Sequence, residues 1–442
     1  SFTPNKNHYL TETIGYLEQN PFININKSVT YPTWLMSSAV GFAHAKVFLK
    51  VDKHPRHLNW NYFLNSLAKT YQPVGLFCYS EPRLLLRNEL YHYDETISKT
   101  QLFKFVKQHY KAGWIIILMI NLWIYEKKFP LWACINSFFY KKINSITDSI
   151  NNQIPSLPKE LKINDTVDVI IPTIGRKKYL YDVLCDLKNQ TILPKTVIIV
   201  EQNGQENTCS ELNYLTDEIW PFNIKHTFTH KLGACNARNI ALGHVTSDWV
   251  FLADDDIRFK ADFLEVCLDN CKRYGQRAIT LSCLPEGISQ SSTPPYQCEY
   301  FGSGCSFIAR ATIENLSFHL GYEFGYREDV DFGMQIRNKG TDIVFFSHPT
   351  ITHLKAPVGG FRTSFVFPWE QDKILPKPSP TVMLYHLLHS TPQEICGAKT
   401  LLFLNYYPLQ KRKNPIRYAI YFKKQWNISI HWARKLRSEE SI

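Results

Sequence analysis

Three consecutive aspartates, Asp254, Asp255 and Asp256, directly follow the apolar run Trp249–Ala253. The run predicts a buried strand, so the triplet should lie at a carboxyl strand end, where open α/β sheets bind ligands. Three adjacent carboxylates repel one another unless a cation joins them. A divalent metal is the natural partner, because it takes carboxylate oxygens and shares them with substrate phosphates. The simpler interpretation is a solvated acidic loop, and the neighbouring sequence has to decide between the two.

The elements that must position this triplet alternate between strands and helices. Residues 167–171 and 197–200 predict two strands, the second ending at Glu201, and residues 343–346 predict a late strand. Apolar residues between the first two strands recur with the spacing of one helical face, at Tyr179, Leu180, Val183, Leu184 and Leu187. This alternation is typical of an α/β domain with a mostly parallel sheet and flanking helices.

Composition places the chain among folded proteins that bind anions. Of its 442 residues 44% are hydrophobic, and its formal net charge of +11 suits phosphorylated small molecules, an acidic membrane surface or nucleic acid. The eleven cysteines are scattered without a Cys-x-x-Cys pair. This pattern predicts reduced thiols in a cytoplasmic protein and argues against a zinc site.

Four segments follow from these patterns. We expect a mainly helical N-terminal accessory domain of unknown role at 1–150, a polar linker at 151–166, a catalytic domain at 167–372 and a basic extension at 373–442. The most apolar window, residues 114–125, would span about 18 Å as a helix. That length is well short of the ~30 Å hydrocarbon core of a bilayer. A buried core helix is therefore the first interpretation, and an interfacial membrane segment is the second.

The C-terminal segment 411–442 is strongly basic. It holds nine lysines and arginines against two glutamates, an excess of +7, interleaved with Trp426 and Trp432. This composition predicts peripheral docking on an anionic membrane surface. The alternative is a basic helix that packs on the catalytic domain and faces solvent.

Five short motifs follow one another between residues 165 and 365. They are the loop Pro172-Thr173-Ile174-Gly175-Arg176, the strand-end Glu201, the segment 233–239 with Arg238, the acidic triplet, and Gly325-Tyr326-Arg327-Glu328-Asp329-Val330-Asp331. In this order and spacing they resemble family 2 glycosyltransferases, which have the GT-A fold. The resemblance implies a Rossmann-like, mostly parallel sheet with flanking helices for this part of the chain.

The resemblance also implies a role for each motif. Asp329 would be the general base, with Glu328 beside it, and Asp255, Asp256 and His353 would hold Mn²⁺ or Mg²⁺. The loop Gly302-Ser303-Gly304 would face the donor sugar or the acceptor, and Gly359-Gly360 with Arg362 would contact phosphate. The donor nucleotide would be bound by Pro172, Thr173, Gly175, Arg176, Glu201, Arg238 and Asp254.

The activity implied is metal-dependent, inverting transfer of a sugar from a nucleotide-sugar donor to a hydroxyl of a glycan or lipid-linked acceptor. By resemblance, the setting is bacterial surface polysaccharide assembly, in the cytoplasm and in peripheral contact with the inner face of an anionic membrane. Two departures stand out: Glu201-Gln202-Asn203-Gly204 replaces the usual Asp-Asp-Gly-Ser, and no Gln-x-x-Arg-Trp motif follows. The second departure argues against a processive synthase.

Two other classes remain open at this point. A sugar-nucleotide nucleotidyltransferase would need a glycine- and arginine-rich loop after the first strand, which residues 171–176 lack. A non-catalytic nucleotide- or glycan-binding module would not need both a metal site and a separate base. We expect no nucleic-acid partner, because only the basic tail favours one and no recognition motif accompanies it.

Overall fold

The computed structural model describes residues 1–2, 8–18, 20, 22–50, 59–85, 96–143, 165–357, 365–410 and 413–438. The chain divides into two units, Ser1–Ile154 with Asp372–Arg434 and Pro155–Gln371 with Lys435–Ile442. The predicted linker lies almost wholly outside the described residues, and so do Gly359, Gly360 and Arg362.

The N-terminal part of the first unit is mainly helical, as the sequence predicts. In chain order its elements are β1 Tyr31–Pro32, α1 Ala45–Lys50, α2 Trp60–Tyr71, β2 Tyr79–Ser80, α3 Lys99–His109, α4 Gly113–Glu126 and α5 Leu131–Ser137. Helix α3 begins at a capping box, in which Ser98 and Gln101 satisfy each other's backbone N–H groups. Its apolar face, with Leu102, Phe103 and Phe105, is fully buried in the core of this unit.

Helix α4 contains the apolar window of the sequence, and its two faces differ. Ile115, Leu118 and Leu122 are fully buried in the core, whereas Trp123 and Ile124 are exposed. The prediction of a core helix therefore describes one face only. Among the described residues, we find no helix with both the length and the hydropathy required to cross a membrane.

The second unit alternates strands and helices. Its elements in chain order are β3 Val167–Thr173, α6 Lys177–Lys188, β4 Thr196–Gln202, α7 Tyr214–Asp217, β5 Asn223–Thr229, α8 Ala234–Leu242, β6 Trp249–Ala253, β7 Ile257–Arg258, α9 Phe263–Tyr274, β8 Ala278–Pro285, β9 Tyr296–Gln297, β10 Cys305–Ala309, α10 Arg310–Ile313, α11 Glu328–Asn338 and β11 Val344–His353.

These strands form one mixed sheet of nine strands within the described residues. The order is β5-β4-β3-β6-β10-β8-β11-β7, and β9 pairs with β11. Strands β5, β4, β3 and β6 run parallel to one another, whereas β10 runs antiparallel between β6 and β8. The predicted mixed α/β class is confirmed. The almost continuous burial of β3 and β4 is typical of strands that are covered on both faces.

The strand order reverses between β3 and β6, since β4 lies on one side of β3 and β6 on the other. In open α/β sheets, such a switch point leaves a crevice at the carboxyl ends of the strands, where ligands bind. Thr173 ends β3, and Asp254 follows β6 directly. The fold therefore brings the first-strand loop and the acidic triplet to one edge.

The predicted C-terminal extension is mostly helical and belongs largely to the first unit. It contains α12 Pro380–His389, α13 Pro392–Tyr406 and α14 Pro415–Ser438. One face of α14 is buried, with Tyr418, Phe422 and Trp426 at 4% exposure or less, and Phe403 of α13 contacts two of these rings. Residues up to Arg434 therefore share a unit with the N-terminal region, and the domain boundaries given by the sequence remain a prediction.

Candidate functional site

The carboxyl edge of the sheet holds a cluster of three candidate metal ligands, Asp254, Asp256 and His353. One ligand atom from each lies within 4.8 Å of the others. Asp254 and Asp256 follow β6, and His353 ends β11, which is brought close by its pairing with β7 at residues 257–258. The structure therefore brings His353 next to two aspartates that lie about a hundred positions before it in the sequence.

The second acid of this cluster has one oxygen that lacks a hydrogen-bond partner. Asp256 is 1% exposed, and its Oδ2 accepts a hydrogen bond from the Ala356 N–H at 2.8 Å. Its Oδ1 has no hydrogen-bond partner among the described residues, although His353 Nε2 lies 3.3 Å away. A buried carboxylate oxygen without a partner is costly. Two carboxylates and an imidazole therefore fit a divalent cation at this point.

The charge of Asp256 also affects His353. The carboxylate raises the pKa of His353 above its usual value, although burial opposes the rise. A metal ligand must be a neutral imidazole, so protonation of His353 competes with metal binding. Metal affinity should therefore fall as the pH falls through the pKa of this histidine.

Asp255 lies outside the cluster, in contrast to its sequence-based assignment as a metal ligand. Its Oδ2 accepts a hydrogen bond from Thr173 Oγ1 at 2.6 Å, and its Oδ1 accepts one from Arg176 Nη1 at 2.6 Å. Burial raises the pKa of Asp255 to about 6, although Arg176 and Thr173 oppose the rise. Both carboxylate oxygens are thus occupied in fixing the loop after β3. We propose that Asp255 positions this loop and that Asp254 replaces it as a ligand.

The end of β3 and the loop after it contain the predicted nucleotide-binding residues of that motif. Gly175 has φ of +63°, a conformation that glycine adopts without strain, and it precedes Arg176. The Arg176 guanidinium also lies 3.3 Å from Asp256 Oδ2. Pro172 and Thr173 are the last two residues of β3. The loop therefore contributes a fixed positive charge next to the acidic cluster.

Glu201, at the end of β4, pairs with a histidine that sequence reasoning missed. Its Oε2 lies 2.9 Å from His226 Nε2, and its Oε1 accepts a hydrogen bond from the Glu211 N–H at 3.4 Å. Burial opposes ionisation, but the hydrogen bond to His226 keeps the pKa of Glu201 below its usual value. His226 lies opposite Ile199 on the neighbouring strand β5, so the strand register could have indicated it.

Arg238 connects the acidic cluster to helix α8. Its Nη2 donates to Asp254 Oδ1 at 3.1 Å, and its guanidinium carbon lies 5.6 Å from the centre of the Phe318 ring. The side chain is almost completely buried. Its charge also opposes the rise in pKa of Glu328 and Asp329. The charge of Arg238 therefore acts on both the cluster and the predicted base.

Glu323, which sequence reasoning also missed, closes the N-terminus of α8. Its carboxylate accepts the N–H groups of Cys235 and Asn236 at 3.0 and 2.9 Å. A Cβ on Gly233 would lie 2.2 Å from the Glu323 carboxyl carbon, and the φ of Gly233 is +137°. The helix start in the segment 233–239 is therefore capped by an acid of this chain.

The predicted loop at residues 302–304 lies against the cluster. A Cβ on Gly304 would lie 2.1 Å from Asp254 Oδ2, and one on Gly302 would lie 2.4 Å from Cys305 Sγ. Both glycines are therefore required for close packing, and Gly304 fixes the position of the Asp254 carboxylate. Ser303, between them, is partly exposed and its role stays a prediction.

Replacing Gly304 with alanine should displace Asp254 and weaken Mn²⁺ binding by about tenfold or more, as expected when the support of a ligand is lost. Isothermal titration of the purified chain with Mn²⁺ measures this loss. Gly243→Ala is the matched control, because a Cβ there lies 3.5 Å from its nearest neighbour, the carbonyl oxygen of Ile240. Equal affinity in both variants would contradict the proposed function of this contact.

Glu328 and Asp329 begin helix α11, and both are partly buried. Burial and the charge of Asp329 raise the pKa of Glu328 to about 7. Burial also raises the pKa of Asp329. Arg327, just before them, has φ of +89°, a strained conformation for a residue with a side chain. Two acids of raised pKa at one helix start are typical of a site for proton transfer.

The second unit thus combines a mixed α/β sheet, an acidic cluster at its switch point that fits a divalent cation, and two acids of raised pKa at the start of α11. Residues 168–332 match the family described as glycosyl transferase family 2. The resemblance found in the sequence is therefore confirmed for this part of the chain.

Solved structures are only weakly similar to this chain. S. aureus TarS is 15% identical with a TM-score of 0.38, and the match covers 56% of this chain and 44% of that one. S. aureus TarS 1-349 in complex with UDP-GlcNAc is 15% identical with a TM-score of 0.42, over 61% and 81%. GalNAc-T7 with UDP, GalNAc and Mn²⁺ is 12% identical with a TM-score of 0.38, over 44% of each chain. No curated protein matches the sequence. These similarities are weak, and the assignment rests on the family match.

Proposed function

We propose that this chain is a metal-dependent, inverting and non-processive glycosyltransferase. It moves a sugar from a nucleotide-sugar donor to a hydroxyl of a glycan or lipid-linked acceptor. The observation that carries the proposal is the meeting of Asp254, Asp256 and His353 at the switch point of a family 2 domain. The setting, bacterial surface polysaccharide assembly at the inner face of the membrane, is proposed from the family resemblance alone.

The cluster would hold a divalent cation, Mn²⁺ or Mg²⁺, next to the donor diphosphate. A cation bound there would stabilise the negative charge that grows on the diphosphate as the glycosidic bond breaks. Asp256 Oδ1 accepts no hydrogen bond among the described residues, Asp254 is oriented by Arg238 and Gly304, and His353 adds a nitrogen ligand. Arg176 and Arg238 supply further positive charge at this edge.

The other half of the reaction is activation of the acceptor. In our proposal Asp329 removes the proton from the acceptor hydroxyl while its oxygen attacks the anomeric carbon from the face opposite the diphosphate. The new bond to carbon forms as the bond to the diphosphate oxygen breaks, so the anomeric configuration inverts. The raised pKa of Asp329 makes its carboxylate a stronger base than a solvated aspartate.

A panel of nucleotide sugars, with and without Mn²⁺, tests the proposal and identifies the donor. We expect one donor to stabilise the chain against thermal unfolding only when Mn²⁺ is present, and to release a nucleoside diphosphate when an acceptor is added. A nucleotidyltransferase would instead form a nucleoside triphosphate from donor and pyrophosphate. A binding module would show stabilisation without turnover, and either result would contradict the proposal.

A further inference from the structure

The outer faces of α4 and α5 form an apolar surface with a basic surround. Six exposed side chains define this α4–α5 face: Trp123, Phe129, Trp132, Ile135, Phe138 and Phe139. The rings of Trp123 and Phe129 lie 6.2 Å apart, and the other four side chains belong to α5, which packs on α4 and α3, or to the two residues that follow it. Soluble proteins rarely expose so many large apolar side chains together, so we expect a binding partner to cover this face.

The opposite faces of the same helices already fill the core of the unit. Ala133 and Cys134 of α5 are buried there, together with Ile115 and Leu118 of α4. The exposed residues of α5 return at helical spacing on its other side. Both helices are therefore apolar on two sides, which folding of this unit alone does not require.

The segment that carries this face is almost entirely positive in charge. Residues 99–143 contain eight lysines and one acid, Glu126, which gives an excess of +7. Lys111, Lys141 and Lys142 are exposed, and Lys107 Nζ lies 5.6 Å from the centre of the Phe138 ring. Glu126 pairs with Lys128 at 3.0 Å. The face therefore combines aromatic rings with a concentration of positive charge.

This combination distinguishes a lipid surface from a protein partner. Lysine is depleted in protein–protein interfaces. Tryptophan is enriched at the level of lipid headgroups, and lysines attract anionic lipids. At 14 residues, α4 would reach about 21 Å, too short to span the ~30 Å hydrocarbon core but suited to lying parallel to the surface.

We infer that the α4–α5 face docks on an anionic lipid bilayer, with its rings in the headgroup region and its lysines on acidic phosphates. This surface is separate from the basic tail, where Trp426 is buried among other side chains and Trp432 Nε1 donates to Asp372. The inference does not depend on glycosyl transfer, because vesicle binding is measured without any sugar substrate.

Sedimentation with vesicles of phosphatidylcholine and phosphatidylglycerol, compared with phosphatidylcholine alone, tests this inference. The full chain should bind the anionic vesicles in a salt-sensitive way. Trp132→Ser with Phe139→Ser should weaken binding by at least about tenfold, because two large apolar side chains no longer enter the lipid. These residues are 74% and 82% exposed, so the fold should be unchanged, which circular dichroism checks.

Two matched controls sharpen the experiment. Phe42→Ser with Ile219→Ser removes apolar side chains of equal or greater exposure elsewhere and should bind as the parent does. Lys141→Gln with Lys142→Gln should weaken binding more than Lys423→Gln with Lys424→Gln on α14. The reverse order would move docking to the tail and overturn the inference. Absence of vesicle binding by the parent chain would also overturn the inference. So would a Trp132→Ser and Phe139→Ser variant that binds vesicles as the parent does and differs from it only in having lost self-association.

Discussion

Replacing Asp256 with asparagine is expected to reduce transfer by at least about 10²-fold, because the cluster loses its one buried carboxylate oxygen without a hydrogen bond. Mn²⁺ binding, measured by calorimetry without nucleotide, should become undetectable in this variant. Asp255→Asn should have a smaller effect, about 10- to 100-fold on metal affinity or activity, because it releases Arg176 and Thr173 and leaves the three ligands in place.

The order of these two effects is the decisive result. A larger loss of Mn²⁺ affinity in Asp255→Asn than in Asp256→Asn would restore the ligand assignment made from the sequence. Asp269→Asn is the control, since it removes a carboxylate from the exposed surface of α9. If all three variants bind Mn²⁺ equally, the cluster is not the metal site.

The position of the triplet was predictable from local sequence, whereas the separate roles of its members were not. An apolar run of five residues followed by charge indicates a strand end without any tertiary information. Which aspartate faces the cluster depends on Thr173 and Arg176, which lie 82 and 79 positions away in sequence. Contacts of that range follow from the sheet order, and the sequence alone does not reveal them.

The burial of the C-terminal helix α14 also depends on distant contacts that local sequence does not reveal. The apolar residues of α14 do not all fall on one side of the helix. Ile416 and Ile420 are exposed, whereas some polar residues belong to the buried side. Gln425 and Ser429 are buried through hydrogen bonds to the carbonyl oxygens of Leu375 and Pro378. A pattern that counts only apolar residues misses such a face. Deleting 411–442 would remove α14 and uncover the side chains on which it packs, such as Phe403, so substitution of surface lysines is the better test of tail docking.

Asp329→Asn is expected to lower kcat by ~10²- to 10⁴-fold with little change in donor affinity, because the base acts on the acceptor. Glu328→Gln should retain most of this activity. Because the charge of Asp329 helps to raise the pKa of Glu328, Asp329→Asn should also lower the pKa of Glu328. Near-normal turnover in Asp329→Asn, with loss in Glu328→Gln, would transfer the role to Glu328.

The Glu328→Gln variant should be more stable than the parent at high pH. The folded-state pKa of Glu328 is about 7, above its unfolded value, so the folded chain holds more protons between the two values. The free energy of unfolding therefore decreases as the pH rises through this range, and the full penalty is present above pH 7. Glu328→Gln removes the buried charge, so its thermal unfolding midpoint should exceed that of the parent above pH 7 and approach it below the usual glutamate pKa. A midpoint difference that does not depend on pH would show that Glu328 is not held in a destabilising, ionised state at the site.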